Sequence, residues 1–255
     1  MAVGPLPAGG PGGVRRPLGG RRPTGAHDLL TAATGTSTST RRRLAWAVIA
    51  GQALFVSAWV IAGVAEGHGY SAARHDVSDL GALTARHAAP WLAVSAVTGL
   101  LTAAFAVWSL GPALAGPDGR RPLGAWLVAV SLPALDNVGD ALFRLDCRAA
   151  DAGCKAAQAT ASWHGKTHAA VFVVALLPTL VAPFALASRM GRTGGWRSLA
   201  RPARWYGGAL IAGAAATAAS HGTAVDGLTQ RGLIVCAVGG VVVLAARVLW
   251  TSPPG

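Results

Sequence analysis

Asp136 and Asp140 stand four residues apart in a stretch that is otherwise apolar from Leu123 to Phe143. On a helix this spacing sets both carboxyl groups on one face. Counting about 1.5 Å per residue from Leu123 puts them about 20 and 25 Å along a hydrocarbon layer about 30 Å thick. An ionised carboxylate at that depth costs a few kcal/mol, so it must face the bundle interior and meet a partner or water. Two readings stay open: a site for a metal, a proton or a substrate, or a helix that surfaces after Pro133 and leaves Asp140 interfacial.

The second pair is His164 and His168, in Trp163-His164-Gly165-Lys166-Thr167-His168. Two imidazoles at i and i+4 are the arrangement used when two histidines hold one zinc ion, with Asp136 as the carboxylate that would join them. No Glu lies beside His164, so the metalloprotease helix pattern is absent, and a pair of plain interfacial histidines is the alternative. Cys147 and Cys154 lie between the third and fourth apolar stretches. Outside the cytoplasm a disulfide between them is the simpler expectation, and a Cys2His2 zinc site with His164 and His168 the other. Cys236 falls in the last apolar stretch and reads as a packing residue.

These residues need a frame, and composition specifies it. The 255-residue chain is 52% hydrophobic and only 13% charged, with a mean hydropathy of +0.45. Soluble domains carry about 25% charged residues. An all-α polytopic membrane bundle is expected, with six transmembrane helices at 44–65, 90–114, 123–143, 168–187, 205–220 and 232–250, each near the length that crosses a bilayer. The fifth is short and made largely of Gly and Ala, which suits close packing inside a bundle. Residues 1–43, rich in Gly, Pro, Ser, Thr and Arg, read as a disordered basic tail, and 251–255 as a short second tail. Arg41-Arg42-Arg43 followed by Leu44 loosely resembles a twin-arginine signal, but the apolar run is too long for a signal-peptide core.

Charge sets the orientation. With both termini cytoplasmic, fifteen of the 22 Lys and Arg residues fall inside, against Asp28 and Asp118 as the only acids there. The outer loops and helix ends then hold seven basic and eight acidic residues. This satisfies the positive-inside rule for a multi-pass protein of the plasma membrane. The net charge of +12 is thereby explained as anchorage to anionic lipid, with membrane lipids as partners and no role for nucleic acid. The outer side then gathers His68, His75, His87, His164, His168 and His221, with most of the aspartates.

The first outer loop runs Gly69-Tyr70-Ser71 through Ser78-Asp79-Leu80-Gly81-Ala82. Its turn-forming residues read as an ordered segment, with Ser78 and Asp79 placed to cap a short helix. The Gly-Tyr-Ser opening and the Ser-Asp-Leu-Gly-Ala sequence after the first span resemble the bacterial membrane-protein family known as domain of unknown function 998. The Cys-containing outer loop leading into His-Gly-x-x-His resembles it too. The resemblance covers roughly residues 44–250 and implies a six-helix membrane fold without an assigned activity. On it, Ser78, Asp79, Gly81, His164 and His168 are the positions to follow.

Phosphate-binding loops, dinucleotide fingerprints and Gly-x-Ser-x-Gly elbows are absent, and no two-fold repeat is evident. Three functions stay open. One is an accessory or sensor protein with a His/Asp-rich outer face and a protein partner. Another is an intramembrane metal-dependent hydrolase of a lipid-like substrate, in which Asp136 or Asp79 with His164 and His168 holds zinc, and Ser78, Asp79 and Asp136 are the catalytic candidates. Its constellation is similar in outline to the alkaline ceramidase and adiponectin-receptor group, although here the His pair opens the fourth span. The third is a proton-coupled transporter in which Asp136 titrates. Neither the oligomeric state nor the substrate is legible from sequence.

Overall fold

The structure is a computed structural model that describes residues 37–67, 69–116 and 121–251, together with Met1 and Gly4. Among the described residues every regular element is helical. Helix α1 spans Thr38–Glu66 and α2 spans Ala88–Phe105, continued through a wide π turn to Ala113. Two short helices follow, α3 at Leu123–Ala129 and α4 at Asn137–Leu142. After a one-turn helix α5 at Ala156–Ala159 come α6 at Trp163–Met190, α7 at Ala200–Ser220 and α8 at Asp226–Thr251.

Four helices are long and apolar enough to cross a membrane: α1, α2 counted to Ala113, α6 and α8. Their side chains behave as a lipid solvent requires. Ile61, Val64, Val173, Leu177 and Trp250 are exposed, whereas Gln52, Ser95, Thr98 and Thr102 are buried. A helix that is apolar on its outward side and carries polar groups inward reverses the pattern of a water-soluble bundle. Gln52 Nε2 donates to Thr102 Oγ1 at 2.7 Å, an inter-helix hydrogen bond of the kind that fixes register where no water competes.

The two sequence segments expected as the third and fifth spans differ from that group. The third is a broken helix. Ser131 is extended, and Leu132–Asp136 forms a π turn with Pro133 in it. Proline supplies no N–H and its ring displaces the preceding turn, so the helix cannot run through. The freed groups find partners. Leu132 N–H donates to Thr179 Oγ1 at 2.8 Å, and Ser131 O accepts from Ala134 and Leu135 N–H. Irregular backbone buried among apolar helices is tolerated only when it is satisfied within the protein in this way. The fifth, α7, begins at Ala200 rather than Trp205 and lies against α6 and α8, but only Gly207, Leu210 and Ser220 of it are buried and most of its alanines are exposed, so it sits at the edge of the bundle and not inside it as expected.

At the start of the chain, α1 begins at Thr38 rather than Leu44, so Thr38–Arg43 is helix and not tail. Ser37 caps it, accepting from Thr40 N–H at 3.2 Å. The rest of the expected tail, residues 2–3 and 5–36, lies outside the described residues, as do 252–255.

Antiparallel packing gives the bundle two unlike ends. Arg42 Nη1 donates to Leu249 O at 2.8 Å, Ser109 Oγ to Arg41 O at 3.1 Å, and Arg189 Nε to Leu114 O at 2.7 Å. These bonds gather the start of α1 with the finishes of α2, α6 and α8 at an arginine end. The opposite, histidine end holds Glu66, the loop from Tyr70 to Ala82, the loop from Leu145 to Ser162, and the α7–α8 turn.

Candidate functional site

The histidine end is built on a loop pinned from several sides. Arg231, near the start of α8, donates through Nη1 to Ala72 O (2.6 Å) and His75 O (2.7 Å), and through Nη2 to Tyr70 Oη (2.5 Å). Gln230 Oε1 accepts from Val77 N–H at 2.8 Å. Arg144 donates to Gly81 O and Ala82 O, both at 2.7 Å. Gly227 allows the loop to lie on α8, since a Cβ there would meet His75 O at 2.3 Å. The expected ordered segment is therefore present, with a 3-10 turn at Ser78–Gly81.

Its acidic residue does a different job from the one expected. Asp79 does not cap the turn. It is buried, and both its carboxyl oxygens accept from Ala149 N–H, at 3.1 and 3.2 Å. Ala149 follows Cys147, which is disulfide-bonded to Cys154 with their Cα atoms 6.1 Å apart. Arg148 in the same loop pairs with the buried Glu66 at the end of α1 and with Asp151 (2.5 Å), and Thr84 Oγ1 donates to Asp151 Oδ2 (2.5 Å). Glu66 is the only glutamate in the chain, and its position at the end of the first apolar run was the one sequence signal for this clamp.

Burial dominates the electrostatics here. It lifts the Asp79 carboxyl to about 7, against the pull of the Ala149 N–H, and nearby Asp76 adds to the rise. Asp76 is also raised, first by burial and then by Asp226. Burial pushes the Tyr70 hydroxyl up to about 12 despite Arg231 beside it. His75 is lowered, chiefly by burial and then by Arg74, and its Nδ1 accepts from Ser71 N–H at 2.9 Å.

Beneath the loop lies a cavity of about 910 Å³. One wall is polar, with His75, Asp76, Asp79, Lys155, His221 and Asp226. The other is apolar, with Phe172, Val173 and Leu176 from α6, Ala214 from α7 and Leu233 from α8. Adjoining it, a smaller pocket of about 40 Å³ is bounded by Asp136, Asn137 and Asp140. Ser78, His168, Phe172 and Gln230 line both spaces and form the neck between them.

Asp136 and Asp140 do share a face despite the helix break, and both reach the small pocket. They do so because Asp136 closes the π turn and Asp140 lies in the short helix that follows directly. Gly139 lets α4 approach α6, where a Cβ would meet Val171 Cγ1 at 2.6 Å. Across that contact His168 Nδ1 lies 3.2 Å from Asp140 Oδ1 and 3.0 Å from Phe143 O.

His164 does not join them. One turn nearer the start of α6, it stacks on Trp163 with centroids 3.8 Å apart and faces the Phe143 ring at 6.1 Å. Beyond Leu142, α4 has ended, so no carboxylate of that helix reaches His164. Among the described residues no group of three or more His, Cys, Asp and Glu side chains is arranged to hold a metal ion. The zinc set His164, His168 and Asp136 is therefore not assembled, and the two cysteines are joined to each other. His221 pairs with Asp226 at 3.2 Å on the cavity rim, and His68 lies outside the described residues. Tyr70 enters the sequence reading only within the Gly-Tyr-Ser motif, and Gln230, Arg231 and Arg144 do not enter it. The polar pair Gln230-Arg231, directly before the last apolar run, is the signal that marks two of them.

The model of the family described as Protein of unknown function (DUF998) matches residues 49–247, more than three quarters of the chain. No curated protein and no solved structure matches it. The chain, a helical protein with four helices fit to cross a membrane, belongs to the domain of unknown function 998 family.

Proposed function

We propose that the chain is a six-span protein of the plasma membrane, both termini cytoplasmic, whose outer-face cavity binds a zwitterionic amphiphile. In this reading α3 with α4 is the third span and α7 the fifth. The arginine end faces the cytoplasm, as the positive-inside rule demands, and the histidine end opens outward.

The observation that carries the reading is the two-sided chemistry of the cavity. Its volume of about 910 Å³ is at the upper end of the range that takes drug-sized ligands. The polar wall carries both signs, Arg74 and Lys155 against Asp226, with Asp76 and Asp79 held nearer neutrality by burial, which suits a head group with both charges. The apolar wall of Phe172, Val173, Leu176 and Leu233 suits an acyl chain. A free head group leaves that wall dry and unused, and a plain hydrocarbon offers nothing to Arg74 and Lys155.

The test is binding of fluorescent lysophosphatidylcholine to the protein in nanodiscs. Ala214→Trp, on the cavity wall, fills the space the chain would take and is expected to weaken binding at least tenfold with the melting temperature retained. Undiminished binding by that variant removes the cavity as the site.

A further inference from the structure

We propose that the neck of this cavity is a serine-type acyl-ester hydrolysis site, with Ser78 as nucleophile, His168 as general base and Asp140 as the positioning residue. The proposal rests on the amphiphile reading for its substrate class, an ester of a polar alcohol and an acyl chain.

Tautomer is the first argument. His168 Nδ1 faces two acceptors and no donor, Asp140 Oδ1 at 3.2 Å and Phe143 O at 3.0 Å. A neutral imidazole so placed keeps its proton on Nδ1 and leaves the Nε2 lone pair free. The ring lines both the cavity and the small pocket, so a base of fixed orientation stands at the neck.

The nucleophile is the second. Ser78 lines the same two spaces; in the structure its hydroxyl makes no hydrogen bond to His168 or to any other described residue, so the contact with Nε2 forms only when substrate fills the neck. Its backbone is held on one side by the Val77–Gln230 bond and on the other by the buried Leu80 and Gly81. The small pocket, about 40 Å³, has room for about one water molecule, the co-substrate a hydrolysis needs.

The chemistry balances. As Ser78 Oγ bonds to the ester carbonyl carbon, its proton passes to His168 Nε2, and Asp140 stabilises the imidazolium. The bond from that carbon to the alcohol oxygen breaks, and the alcohol leaves with the proton from Nε2. Water then gives a proton to Nε2 as its oxygen bonds to the acyl carbon. The bond to Oγ breaks, Oγ recovers the proton, and a carboxylic acid is released. Ester and water become acid and alcohol, with no redox change.

The test uses the full chain in nanodiscs with a fluorophosphonate probe and mass-spectrometric mapping of the labelled residue. The wild type is expected to label at Ser78. Ser78→Ala is expected to abolish labelling, and His168→Gln and Asp140→Asn to slow it at least a hundredfold, with the melting temperature retained. Asp140→Glu, which keeps an acceptor for Nδ1, recovers part of the rate if Asp140 acts through His168. A wild type that binds the lysolipid but does not label overturns the hydrolysis site and leaves the binding reading standing. Labelling at another residue, or at the wild-type rate in His168→Gln, overturns it as well. Labelling at Ser78 without lysolipid binding supports the nucleophile and removes the amphiphile as its substrate class.

Discussion

At the scale of single residues, Asp79 shows how a position legible in sequence acquires a role that is not. The Ser-Asp pair reads as a helix cap, because capping depends on neighbours within a turn. The bond that forms instead reaches Ala149, 70 positions away, a distance no local pattern encodes. The consequence is a pH dependence. The carboxyl stands at about 7 in the folded chain, raised by burial, against about 3.9 for an exposed aspartate. A raised carboxyl pKa means the folded state binds the proton more tightly. Its stabilising contribution is fully present below about pH 4 and is lost as pH rises through about 7. Asp79→Asn keeps the size and an acceptor for Ala149 N–H but cannot titrate. Between pH 5 and 8 the wild-type melting temperature is therefore expected to fall more steeply than that of the variant. Asp76, also raised by burial, keeps the variant's slope from vanishing. Equal slopes would show that Asp79 is not the titrating group.

At the scale of elements, the broken third segment is the instructive case. Hydropathy places 123–143 correctly as an apolar stretch, because burial in lipid or protein requires it whatever the backbone does. The break at Ser131–Asp136 is set by Pro133, visible in sequence, and by a hydroxyl on a different helix, which is not. Thr179 Oγ1 accepts from Leu132 N–H at 2.8 Å and donates to Ala175 O at 2.7 Å, all of it buried. Thr179→Val preserves shape and strands the Leu132 N–H, a loss of about 1–3 kcal/mol for an unsatisfied buried donor. The melting temperature should drop accordingly, and Thr179→Ser, which retains the hydroxyl, should keep most of the wild-type value. A serine variant as unstable as the valine one would assign the effect to packing instead of the hydrogen bond. Since α4 carries Asp140, the same substitution should disturb the Asp140–His168 pair through the backbone.

At the scale of the whole molecule, sorting the charges separates what was legible from what was not. The gathering of histidine and aspartate at one end and the excess of arginine at the other are legible in sequence, because turn positions between apolar runs alternate between two ends. The structure gathers Arg42, Arg189 and Arg247 at one end and Asp76, Asp79, His168 and Asp226 at the other. The choice of partners within that end depends on helix phase. His168 meets Asp140 while His164, one turn away, meets Trp163. The Tyr70–Arg231 bond spans 161 positions and is equally beyond local pattern. The proposed orientation makes a sharp prediction that needs no ligand. Ser198 lies exposed between α6 and α7 at the arginine end, and Val225 is exposed in the α7–α8 turn at the histidine end. In a Cys236→Ser background, where the remaining cysteines are disulfide-bonded, Val225→Cys is expected to react with a membrane-impermeant maleimide on intact cells. Ser198→Cys is expected to react only after permeabilisation. The reverse pattern would invert the bundle. Reaction of both on intact cells would mean that α7 does not cross, leaving its two ends on one side of the membrane and the apolar wall of the cavity without the lipid access that an acyl chain requires.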